Sequence, residues 1–206
     1  MKKYSAEMIG TFVLVLFGTG AIVVSKETNG IISHIHISLI FGLSVMGMIL
    51  LFRKMSGAHI NPAVTIALAL AKKFRKKNVL PYLIAQVTGA FLASFLLKLA
   101  FPGNKLLGTT LPSVSDIECF VLEVVLTFIL MVGVLRSPGR YSAFFIGGIV
   151  ALEAYFAGKL TGASMNPARS LAPAIVSGHT EFLWVYLVAP TLGAVIAVYA
   201  NKLIKD

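Results

Sequence analysis

Six stretches of this chain, at residues 4–25, 32–52, 79–101, 115–135, 141–158 and 181–203, are apolar and carry few charges. Each is about twenty residues long, which at ~1.5 Å of rise per residue matches a hydrocarbon core of roughly 30 Å. Those lengths predict an all-α integral membrane protein with six spans. The 206 residues are 57% hydrophobic and only 13% charged, and they leave little chain for a soluble domain, so residues 1–206 read as one unit. The opening Met1-Lys2-Lys3 and the apolar run after it read as a retained first span, being long for a cleaved leader. Cys119 is the only cysteine, which excludes an intrachain disulfide and leaves helix packing to hold the fold.

A net charge of +10 would suggest nucleic acid in a soluble protein. Here the cations fall between apolar stretches, and topology accounts for them. Lys2, Lys3, Lys72 to Lys77, Arg136, Arg140, Lys202 and Lys205 share one side if six crossings alternate with two dipping loops. By the positive-inside rule that side is cytoplasmic, with both termini inside and the plasma or inner membrane as the expected location. Lys26, Lys98, Lys105 and Lys159 fall opposite, accompanied by Glu27, Asp116, Glu118 and Glu181.

Two further segments, 62–71 and 167–176, have helical composition but only about half the length of a span. They read as half-helices that enter the bilayer and turn back. The chain also echoes itself: Ala6-Glu7-Met8-Ile9-Gly10-Thr11-Phe12 returns as Leu122-Glu123-Val124-Val125-Leu126-Thr127-Phe128, and Gly57-Ala58-His59-Ile60-Asn61-Pro62-Ala63 as Gly162-Ala163-Ser164-Met165-Asn166-Pro167-Ala168. With three crossings per half, the halves at about 1–103 and 104–206 must be inverted relative to each other. Their short helices should then approach the midplane from opposite sides.

Each short segment opens on Asn-Pro. Asparagine caps orphan N–H groups, and proline at the first helical position gives up a donor that had no partner. Asn61 and Asn166 are therefore expected N-caps whose side-chain NH2 groups point away from their helices. Two such donors, with the positive ends of two helix dipoles behind them, would hold a passing oxygen atom and repel cations. Paired Asn61-Pro62-Ala63 and Asn166-Pro167-Ala168 thus predict a pore. Arg169, next in line, is expensive in lipid and should face water while carbonyls hold it. Glu7 and Glu123 fill equivalent places in the first and fourth spans. They are expected to accept hydrogen bonds from the backbone of the dipping loops, in preference to coupling protons.

These motifs resemble those of the aquaporin, or major intrinsic protein, family over essentially the whole chain. The run Gly162-Ala163-Ser164-Met165-Asn166-Pro167-Ala168-Arg169-Ser170-Leu171 is similar to the nodulin-26-like branch and its bacterial relatives. The resemblance implies an aquaporin-like fold, a homotetramer with one pore per subunit, and a selectivity filter at a second constriction toward the outside. Carried over by spacing, that filter comprises Phe41, Ala154, Ala163 and Arg169. Strict water channels of the family have histidine where Ala154 stands, and glycerol facilitators have an extra aromatic at the place of Ala163. Two alanines should widen the opening for water and small neutral solutes such as glycerol, urea or metalloid hydroxides. Ser170 and Ala174 resemble the water channels, whereas Leu187 departs from their tryptophan.

His59 reads either as a polar wall at the inner pore mouth or as a packed loop histidine. Glu153 is expected to brace loop 159–164, with Lys159 as its partner, or to tune Arg169. His34, His36 and His179 show no metal-ligand spacing, so no metal or cofactor is implied. A coupled transporter can also use inverted repeats and broken helices, but it needs an ion site that this midplane lacks. An intramembrane enzyme would need a nucleophile and base set that is likewise missing.

Overall fold

The computed structural model describes residues 1–203, and over these the chain forms eight α-helices and no strand. They are α1 (Lys2–Glu27), α2 (His34–Ser56), α3 (Pro62–Leu70), α4 (Val79–Ala100), α5 (Asp116–Arg136), α6 (Ser142–Thr161), α7 (Pro167–Ser177) and α8 (Leu183–Leu203). Six are long and apolar enough to cross a membrane. The other two, α3 and α7, have 9 and 11 residues and start at the two Asn-Pro pairs. The expected spans agree with the observed helices to within a turn. Lys205, placed with the basic side in the sequence, lies outside the described residues.

Polar bonds between elements fix which helix ends share a side. At one end Tyr4 meets Asn78, Arg53 meets Ser142, Lys73 reaches the carbonyl of Leu135, and Arg136 meets Asn201. At the other, Lys98 reaches the carbonyl of Val176, Asn104 meets Glu27, and Ser113 bonds the carbonyl of Lys159. The start of α1 and the end of α8 therefore lie at the same end of the bundle.

The packing is duplicated. Helix α1 packs on α4 as α5 packs on α8, and α2 crosses α6 between the halves. The half-helices are exchanged: α3 seats against α8, and α7 against α4. Small residues permit this in the absence of a hydrophobic drive in lipid. A Cβ added to Gly89 would stand 2.1 Å from the Met8 carbonyl oxygen, and one on Gly193 2.2 Å from that of Val124. At the α2–α6 crossing, added Cβ atoms on Gly42 and Gly147 would come within 2.5 and 2.7 Å of each other's carbonyl oxygens.

Candidate functional site

The two dipping loops are built on buried carboxylates. Glu7 Oε1 accepts from the Ser56 hydroxyl at 2.6 Å and the His59 N–H at 2.9 Å; Oε2 accepts from the Ile60 N–H at 2.7 Å and Gln86 Nε2 at 2.8 Å. Glu123 repeats the arrangement, with Oε1 accepting from Thr161 at 2.8 Å and the Ser164 N–H at 2.9 Å, and Oε2 from the Met165 N–H at 2.9 Å. Both glutamates are fully buried. The loops need these acceptors because their backbone is not helical: Ala58, Ile60, Ala163 and Met165 have φ between 41° and 51°, which leaves their N–H groups outside any ladder.

The asparagines sit where these loops meet. Asn61 Oδ1 accepts from the Ala63 N–H at 2.9 Å, and Asn166 Oδ1 from the Ala168 N–H at 3.0 Å, so each caps its own helix. Their amides behave differently from the sequence expectation of two wholly free donors. Asn61 Nδ2 donates to the Met165 carbonyl at 2.7 Å, and Asn166 Nδ2 to the Ile60 carbonyl at 2.9 Å. Each asparagine thereby latches the opposite loop with one hydrogen and keeps the second for the cavity both residues line.

That cavity holds about 420 Å³ and runs as one space from Phe41, Ala154 and Arg169 past Asn61 and Asn166 to Arg53, Gly139 and Ser142. Leu14, Val45, Ile49, Leu130 and Val150 give it apolar walls, and no carboxylate lines it. Ala163 is also in the wall, so Phe41, Ala154, Ala163 and Arg169 all line this one cavity. Arg169 is 2% exposed, donates from Nη1 to the Gly108 carbonyl at 2.9 Å, and lies 5.2 Å from the centre of the Phe41 ring. Its Nε–H has no acceptor among the described residues.

His59 lines the cavity, while its Nδ1 lies 3.1 Å from Thr65 Oγ1 and its ring packs against Phe74 and Tyr82. Glu153 overturns the expectation placed on it. It is buried, away from the cavity lining, and neither oxygen has a partner, so it pairs with neither Lys159 nor Arg169. Lys159 is exposed, and the loop that Glu153 was expected to brace is held by Glu123. Cys119 is buried, 3.5 Å from the Tyr186 hydroxyl and outside the cavity. His36 and His179 bond close neighbours in sequence, His34 on α2 reaches the Tyr155 carbonyl on α6, and no metal-binding group occurs among the described residues.

Sequence reasoning missed several parts of the site. The Gly108 carbonyl that holds Arg169 comes from the irregular segment between α4 and α5, where no periodicity announces it. Arg53 and Ser142, 3.0 Å apart at the far mouth, belong to no motif that would single them out. A hydroxyl chain from Thr110 through Ser170 to Ser164, with spacings of 2.8 and 2.6 Å, stiffens the second loop.

A family model described as Major intrinsic protein matches residues 1–201. The chain belongs to the major intrinsic protein family. Aquaporin NIP1-1 of Oryza sativa subsp. japonica is 40% identical over 212 residues, covering 100% of this chain and 75% of that one. Nodulin-26 of Glycine max is 36% identical, covering 100% and 78%. Among solved structures, the aquaglyceroporin from Plasmodium falciparum superposes with a TM-score of 0.87 at 28% identity, covering 98% of this chain and 96% of that one. The major intrinsic protein fold, six spans and two half-helices in an inverted repeat, is thus the fold of this chain.

Proposed function

We propose that this protein is a passive channel for water and small uncharged solutes, with one conducting path through each copy. The observation that carries the reading is the single apolar cavity that passes both asparagines and ends at Arg169. A neutral hydroxyl-bearing solute crossing it meets donors from Asn61, Asn166 and Arg169 on one side and hydrocarbon elsewhere, which suits a molecule with a polar and an apolar face. A cation would shed its water and find no carboxylate, two helix N-termini and a guanidinium. Asn61-Pro62-Ala63 and Asn166-Pro167-Ala168 form the midplane in this reading, Phe41, Ala154, Ala163 and Arg169 the selectivity filter, Glu7 and Glu123 the loop supports, and His59 the wall near the other mouth. Small side chains at Ala154 and Ala163 favour passage of glycerol, urea or a metalloid hydroxide such as arsenous acid alongside water.

The names of the relatives support this: an aquaporin, and an aquaglyceroporin among the solved structures. Assembly as a homotetramer, a plasma or inner membrane location, both termini in the cytoplasm and the division near residues 103 and 104 belong to the same proposal. The test is stopped-flow light scattering on proteoliposomes challenged with water, glycerol, urea and arsenous acid gradients. Flux of water and at least one solute that ignores an uncoupler is expected. Water movement alone would leave a strict water channel, and flux that collapses with the proton gradient would mean a coupled transporter.

A further inference from the structure

The two ends of the bundle carry very different charge. Of the 18 lysines and arginines, Lys26, Lys98, Lys105 and Lys159 lie at the end with the α1–α2 connection. Arg169 is buried and Lys205 is outside the described residues, which leaves twelve at the end holding Met1 and the close of α8. Acidic residues do not follow them. Glu27, Asp116, Glu118 and Glu181 lie at the first end, Glu7, Glu123 and Glu153 are buried, and Asp206 is outside the described residues. Among the described residues the only ion pair is His179 with Glu181, so none of the twelve has an acidic partner.

The densest part of this surface is a shaped turn. Between α3 and α4, Lys72, Lys73, Arg75, Lys76 and Lys77 are all exposed. Phe74, in their midst, folds inward, its ring 4.7 Å from that of His59 and 4.6 Å from that of Tyr82, and the N–H groups of Lys73 and Phe74 both donate to the Leu68 carbonyl. These contacts give the turn a defined shape in which its charges stand together. Tyr4 bonds Asn78 at the end of the turn, which brings Lys2 and Lys3 to its flank. Directly below, Leu80 is 66% exposed on the first turn of α4. Cations at the bilayer edge above an exposed leucine match a molecule with an anionic head and a hydrocarbon tail. Leu80 and Ile84 share the exposed side of this membrane-spanning helix, so a lipid whose head reaches the turn lays its tail along α4, which a soluble acidic protein or nucleic acid cannot do.

We propose that the Lys72 to Lys77 turn, with Lys2 and Lys3, is a binding site for the headgroup of an anionic phospholipid. Juxtamembrane lysines and arginines each contribute about 1 kcal/mol toward an anionic lipid surface, and the contribution weakens with salt. The inference concerns this surface alone and does not depend on what the cavity passes. It can be tested on the purified full chain in neutral detergent, by native mass spectrometry and by titration with a fluorescent phosphatidylglycerol, using phosphatidylcholine of the same chains as reference. Phosphatidylglycerol is expected to bind at least roughly tenfold more tightly, and less so as salt rises. The triple variant Lys72→Gln, Lys76→Gln, Lys77→Gln should lose that preference, while Lys98→Gln with Lys105→Gln at the opposite end should keep it. Inorganic phosphate and glycerol phosphate form a separate arm and should compete only weakly, since neither carries a tail. Equal binding of the two lipids, equal loss in both variants, or competition by free phosphate as strong as by the lipid overturns the proposal. If the triple variant fails to fold, a salt-independent preference in the unaltered protein overturns it as well.

Discussion

The two halves of the molecule solve the same architectural problem with the same residues and then part company along the cavity. Glu7 and Glu123, Ser56 and Thr161, Tyr82 and Tyr186, Gly89 and Gly193 do equivalent jobs in the two copies. By the same registration Arg169 corresponds to Val64, Ala154 to Ile49, Phe41 to Ile146 and Ser164 to His59, and all eight line the cavity. What must hold non-helical backbone inside a bilayer is kept, because any unpaired N–H there costs several kcal/mol. What touches the permeant has diverged: Arg169 and Ala154 in one half answer to Val64 and Ile49 in the other, where His59 and Arg53 supply the polar groups.

The largest expected effect tests the kept part. Replacing Glu7 with Ala strands the Ser56, His59, Ile60 and Gln86 donors and should cost about 4 kcal/mol. Glu123→Ala strands one fewer, because Pro190 stands where Gln86 does in the first half, and should cost roughly 1 kcal/mol less. Thermal unfolding in detergent measures both, and a Glu123 variant as damaged as the Glu7 variant would break the proposed asymmetry. Next come the glycine seats. Gly89→Ala and Gly193→Ala each push a methyl against a backbone carbonyl and should each lose about 3 kcal/mol. Unequal losses would mean that the α1–α4 and α5–α8 contacts are not equivalent in energy.

The diverged part carries smaller but more selective changes. Arg169→Val makes the second half resemble the first at this point. One charge about 5 Å from a passing cation, at an effective dielectric near 20, is worth roughly 3 kcal/mol, so cation or proton leakage should rise on the order of a hundredfold. Solute flux should be largely retained. A fluorescent pH indicator inside proteoliposomes reads the leak, and an unchanged trace would remove Arg169 from the barrier. Ala154→Ile, which copies Ile49, is expected to cut glycerol flux roughly tenfold and water flux less, because it adds bulk without adding polarity. Equal loss of both would place the glycerol-limiting width elsewhere.

Much of this was legible before any coordinates. Span lengths, half-length segments and the echoed Glu7 and Glu123 motifs gave the fold because bilayer thickness and backbone satisfaction leave so few alternatives. The paired Asn-Pro starts likewise announced their own caps. Other features depended on elements whose meeting no local pattern encodes. The Gly108 carbonyl reaches Arg169 from an irregular connection, and Gln86 supports Glu7 with no echo in the second half. The cross-latching amides of Asn61 and Asn166 were read as free because their acceptors lie in the opposite half of the chain. Glu153 was misread for a related reason: a charge beside a loop suggests a brace, yet Glu123 already occupies that role, and nothing in the structure explains the unpartnered carboxyl.

Helix α3 is made early in synthesis, but its seat is α8, the last helix among the described residues. Until the second half is made, the first half-helix has only α4 and the Glu7 support to rest on, and the Ile60 carbonyl has no Asn166 to bind. A nascent chain stopped before residue 183 should therefore leave that loop open to protease or thiol-labelling reagents, and release of the finished protein should close it. Completion of α8 and closure of the first loop would then be a single event.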